Sequence, residues 1–302
     1  SSREKMRKNG TSSEGDITLP TEFRADIVAG TATAGEEVVG EDKLNILKPL
    51  RENLVLAKAG ATYLTGLTGD ISIPTYGGTS ALWEGEVDAA ADGAGEFDEV
   101  KLAPKRLSAF IDISKKFLAQ DSASAEAMLK QDIVQAIAGK LEGTILGKEN
   151  VSATQPLGLF YTAPAINGTA SFKNVVDMEA AVDSSNALMG NLKYIFGPEA
   201  RAILKTTDRG TDTGRMLLEN NELNGYNTLV TNHVAKELQA GTDEYGIVFG
   251  NWADFIIAQW GGIDLVVDPY TVAKDGKVRI VVNAYFDAKA RRAESFKTGS
   301  IK

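Results

Sequence analysis

The sequence predicts an α+β protein, and three observations carry that prediction. Residues 121–148 read as one long amphipathic helix. Two strand-like runs, ISIPTY and LSAFIDIS, flank a small-residue, acidic stretch at 83–96. Beyond residue 190, short apolar runs separated by Gly, Asn and Asp follow helical segments without the regular βαβ alternation of a doubly wound sheet.

The helix is the best-defined element. Met128, Leu129, Ile133, Val134, Ile137, Leu141 and Ile145 recur at spacings of three and four, which places them on one face. Leu129, Ile133, Ile137, Leu141 and Ile145 are its expected core contacts. Asp121, Ser122 and Ser124 offer N-cap oxygens, and Glu126 suits the positive end of the helix dipole. At 1.5 Å per residue the helix is on the order of 35 Å long, enough to cross a domain. Gly139 and Gly143 each cost roughly 1 kcal/mol relative to Ala, so a closely packed neighbour or a bend is expected beside them.

Composition narrows the chemistry. The 302 residues, 43% hydrophobic, suit one large domain or two smaller ones with a real core. No apolar run approaches the roughly 20 residues of a membrane-spanning helix, and no signal-peptide core is present, so no membrane association is expected. The absence of cysteine removes disulfides, thiolate nucleophiles and cysteine metal sites. The single histidine, His233, excludes a multi-histidine metal site and would be the base of any Ser-His-Asp triad. Lying in LVTNHVAKEL beside an expected helix start, it is assigned to a polar loop or cap. A net charge of −9 argues against a general nucleic-acid binder but is compatible with a container wall that must not stick to its contents.

In chain order, residues 1–45 open with Arg3, Lys5, Arg7 and Lys8 and continue rich in Gly, Ser and Thr. They cannot bury enough apolar area to fold alone and read as an extended arm that orders on something else, or as a floppy terminus. NILKPLRENLVLAKAGATYLTGL reads as a short helix turning into a strand, and Pro74 marks ISIPTY as an edge strand. ISIPTY and LSAFIDIS together bracket a long β-hairpin, which is expected to lie on a neighbour because so long an excursion is unusual in a compact monomer. After the long helix come a turn-rich crossing at 154–168 and a helix at 174–188. LKYIFGPEA then reads as a strand entering a helix at Pro198, followed by the polar loop TTDRGTDTGRM. LNGYNTLVTNHV, YGIVFGNW, DFIIAQWG and IDLVVDPY are expected strands, and KVRIVVNAYFDAKARRAESF supplies a strand or strand pair near the end.

Motifs that carry chemistry are nearly absent. TTDRGTDTGRM lacks the Gly-Lys-Ser/Thr of a phosphate loop and reads as a surface loop carrying Arg209, Gly210, Gly214 and Arg215. The carboxylate pairs Glu84 with Glu86, Asp98 with Glu99 and Asp243 with Glu244 sit among Gly and Ala rather than beside sugar-binding aromatics, and read as solvated faces. The sequons at Asn9, Asn150 and Asn167 have no route to glycosylation without a signal peptide. No catalytic residue, metal ligand or cofactor-binding residue is assigned; protruding elements dominate, and assembly is the leading hypothesis.

The order of several motifs carries a resemblance. Trp83, Glu84, Gly85 and Glu86 open the hairpin; Phe97, Val100 and Leu102 close it. Ile113, Ser114, Leu118, Asp121 and Ser122 lead into the helix, and Gly147, Pro156, Gly158 and Leu159 follow it. With LNGYNTLVTNHV, IVFGNWADFIIAQWGG, VVDPY and VRIVVNAYFDAKARRAESF, this pattern over roughly 17–298 resembles the major capsid proteins of tailed bacteriophages, those with the Hong Kong 97 fold.

The resemblance implies an N-terminal arm at 1–45, a peripheral domain at 46–68 and 103–160 containing the spine helix, and an extended hairpin loop at 69–102. It implies an axial domain at 161–265, whose loop carries Arg209 to Arg215, and peripheral strands again at 266–302. It further implies a non-enzymatic structural subunit forming hexamers and pentamers of an icosahedral shell around double-stranded DNA, bound without sequence specificity, and built in the bacterial host cytoplasm with scaffold, protease and portal partners. An N-terminal scaffolding segment is often removed in that family, which would account for a chain beginning at Ser1; an artificial start is the alternative. Some relatives weld the shell from a hairpin lysine, but no lysine lies between Gly69 and Val100, so non-covalent assembly is expected. An encapsulin-like nanocompartment shell is the alternative within the same fold, and an acidic α+β hydrolase using paired carboxylates is the alternative from another class.

Overall fold

The computed structural model describes residues 55–83, 92–116, 122–151, 153–161, 166–210, 214–238 and 243–302, and of 122–127 and 130 the backbone alone. The expected arm at 1–45, and Glu84, Gly85 and Glu86, lie outside the described residues.

The short helix α1 (Leu56–Ala59) ends at Gly60, whose φ of 101° turns the chain through a left-handed cap. Strand β1 (Thr62–Leu67) follows, then β2 (Ile71–Tyr76), β3 (Phe97–Leu102) and β4 (Lys105–Ser114). The long helix α2 (Ser122–Ile145) lies within its expected span. Next come β5 (Ile166–Gly168), α3 (Phe172–Asp183), β6 (Leu192–Phe196) and α4 (Pro198–Thr206). Ser171 caps α3 by accepting the Asn174 amide at 3.2 Å, and Pro198 opens α4, where its missing N–H costs nothing. The remaining strands are β7 (Leu218–Glu219), β8 (Glu222–Leu223), β9 (Tyr226–Val230), β10 (Tyr245–Asn251), β11 (Phe255–Asp268), β12 (Lys277–Ala290) and β13 (Phe296–Ile301).

These strands form a four-stranded sheet in the order β1-β11-β12-β4, a seven-stranded sheet in the order β5-β13-β10-β6-β9-β8-β7, and the separate pair β2-β3. LSAFIDIS, expected to flank the hairpin as its second strand, instead pairs along β12, from Lys105 opposite Phe286 to Ser114 opposite Lys277. The partner of ISIPTY is Phe97–Leu102. The physical reason is burial: Ile111 and Ile113 alternate with polar neighbours so that one face of β4 meets α2, a fit the exposed hairpin cannot offer. DFIIAQWG and IDLVVDPY, expected as two strands, run as the single strand β11, interrupted between Trp260 and Asp264 by a bulge where Gly261 takes φ 62°. The expected division at 265 therefore falls inside β11, and β13 pairs in the seven-stranded sheet rather than with β12.

Helix α2 connects the two large sheets. Its middle, Ile133 and Ile137, packs on Ile113, Ile280, Val282 and Ala284 of the four-stranded sheet. Its end, Leu141 and Ile145, joins Ile195 and Val248 from one sheet and Ile257 and Ala288 from the other. Trp252, Phe255 and Phe296 fill the junction with edge-on and tilted rings 5.2 to 6.1 Å apart. Helices α3 and α4 cover the seven-stranded sheet through Val175, Met178, Val182, Ala200 and Leu204, against Tyr194, Phe196, Ile247 and Phe249.

Candidate assembly site

The hairpin is held at its base and open toward its tip. At the base, Leu102 is buried with Ile256, Ala258 and Trp260, and Leu64, Leu67, Ile71 and Ile73 pack against them. The Trp260 indole N–H donates to the Gly69 carbonyl at 2.6 Å, pinning the turn that enters the hairpin. On the returning strand, buried Asp287 accepts the Ala103 amide at 3.1 Å and the Lys105 ammonium at 2.7 Å. That ion pair, with side chains 2% and 11% exposed, clamps the corner where β3 becomes β4.

Beyond the base the two strands leave the protein. Ile71 to Tyr76 pairs in register with Leu102 to Phe97, and the ladder continues through Gly77 to Glu96 and Ser80 to Gly93. Small residues are required there: a Cβ on Gly93 or Gly95 would lie about 2 Å from the carbonyl oxygens of Ser80 and Gly78. Ten residues from Ile71 to Ser80, at about 3.3 Å each, carry the ladder on the order of 30 Å outward. Tyr76 and Phe97 pack across it with tilted rings at 4.7 Å, yet Phe97 remains 80% exposed and Trp83 fully exposed. Apart from this ring pair, large apolar side chains are left facing solvent here, as suits a surface that meets another molecule.

The expected spine contacts fall as follows. Ile133, Ile137, Leu141 and Ile145 are buried and Leu129 is half-buried, but Val134, expected on the same face, is 44% exposed. It sits one residue past Ile133, about 100° around the helix, and so turns off the buried stripe. The two glycines face His233: a Cβ on Gly139 would meet its Cε1 at 3.3 Å, and one on Gly143 its Nδ1 at 3.4 Å. The imidazole therefore packs on a notch in α2. Among the described residues the helix expected after His233 is not found; turns and a bridge between Lys236 and Tyr245 take its place. The signal for this packing was in the sequence, as two glycines one helical turn apart.

One turn along from Gly139, the buried Glu142 carboxylate accepts the amides of Val55 at 3.0 Å and Leu56 at 2.8 Å. It caps α1 from a distance of 86 residues in sequence, which no local pattern announces. Burial pushes its pKa up, opposed by the two amides and by the nearby His233 and Lys58.

The polar loop after α4 is closed by the Arg209 amide donating to the Arg215 carbonyl at 2.7 Å, and Gly214 adopts φ 63°. The Arg209 guanidinium lies 4.1 Å from the centroid of Phe172 at the start of α3. This loop and the hairpin stand on different sheets and do not form one site.

A further surface was not read from the sequence. The face of the four-stranded sheet opposite α2 presents Phe110, Val281 and Val266 as direct cross-strand neighbours, with Phe110 62% and Val266 46% exposed. Arg279 bridges it, lying 4.5 Å from the Phe110 ring centroid and pairing bidentately with Asp112 at 2.7 and 2.8 Å. Phe110, on the otherwise polar phase of LSAFIDIS, was the available signal.

Among the described residues no cluster of three or more His, Asp or Glu is placed to hold a metal ion, and no helix is long and apolar enough to cross a membrane.

Comparisons with known proteins agree with this geometry. The chain is 31% identical over 302 residues to the major capsid protein of Halomonas phage phiHAP-1, covering 97% of this chain and 45% of the relative. It is 24% identical over 249 residues to that of Klebsiella oxytoca phage phiKO2, covering 77% and 58%. The chain thus spans about half the length of the curated relatives it matches. Among solved structures, the capsid of a native GTA particle aligns with a TM-score of 0.71 at 15% identity, covering 92% of this chain and 99% of that one. A chain of Gordonia phage Cozz aligns at 0.66 and 16% identity, covering 96% and 99%. These structures share the fold, and the mixed α+β architecture is that of the Hong Kong 97-like capsids named above. The family model for the phage capsid family matches residues 43–301, and the chain belongs to that family.

Proposed function

We propose that this chain is a major capsid subunit that assembles with copies of itself into hexamers and pentamers of an icosahedral phage head. The observation that carries the reading is the hairpin: fixed at its base by Asp287 and Trp260, and bearing exposed Phe97 and Trp83 on an arm with no core of its own. Family membership and the capsid relatives support it. In this reading the four-stranded sheet and α2 form the peripheral domain, and the seven-stranded sheet with the Arg209 loop forms the axial domain. The shell encloses double-stranded DNA without reading its sequence and is built in the bacterial cytoplasm with scaffold, protease and portal proteins. Its work is mechanical rather than catalytic.

Negative-stain microscopy and size exclusion of the expressed protein test this. Capsomers or closed shells are expected. A small, monodisperse oligomer that never forms shells would overturn the proposal, and shells that copurify with enzyme cargo instead of packaging DNA would replace the phage head by a nanocompartment.

A further inference from the structure

Asparagine followed by glycine is the dipeptide most open to loss of ammonia, because glycine has no Cβ to shield its own nitrogen. That nitrogen attacks the asparagine Cγ, and ammonia leaves with the displaced proton. The five-membered imide that results takes up water and opens to aspartate or to its β-linked isomer. This chain carries the pair at Asn9, Asn167 and Asn224, the first of them outside the described residues.

Asn224 and Gly225 form the two-residue loop between β8 and β9, where Leu223 pairs with Tyr226. Both take left-handed backbone, with φ 52° and 83°, as a tight turn between twisted strands demands. Gly225 is exposed, and a Cβ there would meet nothing within 4 Å, so water reaches the turn. The turn alone would leave the Asn224 amide to rotate onto the Gly225 nitrogen. Its position is instead fixed from α3: the amide nitrogen donates to Glu179 Oε2. The other oxygen, Oε1, accepts the Tyr226 hydroxyl at 2.6 Å. Burial, with that carboxylate beside it, pushes the Tyr226 pKa up to about 12, so the phenol stays a donor. Each oxygen of Glu179 therefore faces a donor, and an ionised carboxylate has no proton to give in return.

We propose that Asn224–Gly225 is a deamidation site held in check by Glu179, and that its conversion unseats the β8–β9 hairpin from α3. The carboxylate holds the very nitrogen that must leave, and so keeps Cγ from turning onto the Gly225 nitrogen. Once ammonia is lost, a second carboxylate stands where the amide stood, opposite an acceptor-only partner. The contact that slowed the reaction then repels its product. Asn167 is a reference within the same chain: it lies in β5, and its Oδ1 accepts the Ser300 hydroxyl at 3.1 Å.

Peptide mass spectrometry of the full chain, incubated at mildly alkaline pH, tests the check. Glu179→Ala is expected to raise the conversion rate at Asn224 at least roughly tenfold, the factor that a hydrogen bond to a charged group is worth. The rate at Asn167 is expected to stay as in wild type. Tyr226→Phe removes only the other bond to Glu179 and is expected to leave the Asn224 rate unchanged. An unchanged Asn224 rate in Glu179→Ala overturns the proposal. Equal rises at Asn224 and Asn167, or as large a rise in Tyr226→Phe, point to a loosened fold in place of a guarding bond and overturn it as well. For the product, Asn224→Asp is expected to lower the urea midpoint, and Glu179→Gln on the same chain, whose amide can donate, to restore most of it. A double variant no better than Asn224→Asp alone overturns the clash.

Discussion

Glu142 Oε1 accepts the Leu56 amide at 2.8 Å, so that a carboxylate near the end of α2 caps a helix 86 residues away. Glu142→Ala leaves the buried amides of Val55 and Leu56 without their acceptor and is expected to cost roughly 1–3 kcal/mol for each, read by urea denaturation.

The same carboxylate gives a pH signature. Its folded pKa is raised above the ordinary 4.5, so its contribution to stability is fully present below the unfolded pKa and is lost as pH rises through the folded one. The stability of wild type minus that of Glu142→Gln is therefore expected to fall with rising pH across that window. A difference that grows with pH would reverse the assignment of burial as the dominant cause.

Leu141 and Val134 test the register of α2. Leu141→Ala, at 9% exposure in the sheet junction, is expected to cost about 2–5 kcal/mol. Val134→Ala, at 44% exposure, is expected to change stability by less than about 0.5 kcal/mol in the isolated subunit. Similar costs at both positions in chemical denaturation would sink the assignment of the buried face.

His233 and Gly139 form a matched pair. Gly139→Val drives a branched side chain into the imidazole and is expected to destabilise by about 1–3 kcal/mol, an effect that His233→Ala partly relieves. A double-mutant cycle with no coupling would show that the two do not pack together.

The hairpin base and tip should separate stability from assembly. Asp287→Ala leaves Lys105 buried and unpaired and is expected to cost about 3–5 kcal/mol. Deleting 88–96 is expected to leave the unfolding midpoint nearly unchanged and abolish shells. With no lysine between residues 69 and 100, wild-type particles boiled in detergent are expected to run as monomer without ladders.

Much of this fold was legible locally. The spacing of Ile133, Ile137, Leu141 and Ile145 marked the buried stripe of α2, and the alternation of LSAFIDIS marked the strand whose inner face receives it. Partner choice was not legible. β1 pairs with β11 across nearly 200 residues, from Thr62 opposite Ile256, and no local period encodes that. The same limit explains the hairpin: ISIPTY alternates, but nothing in it selects FDEVKL over LSAFIDIS as its partner, and Leu102 is buried only because Trp260 and Ile256 come to meet it. No sequence pattern singles out Glu142 or Asp287, because the amides and the lysine they hold are distant along the chain.

Strand β13 has a consequence for timing. It lies between β10 and β5, so β5 has no partner and one side of β10 stays open until Ile301 has been synthesised and has left the ribosome. The seven-stranded sheet of a nascent chain thus remains unfinished until the residues that follow β12 have emerged. A chain that stops short of Ile301 leaves β5 unpaired and one side of β10 open, so it cannot present the finished sheet.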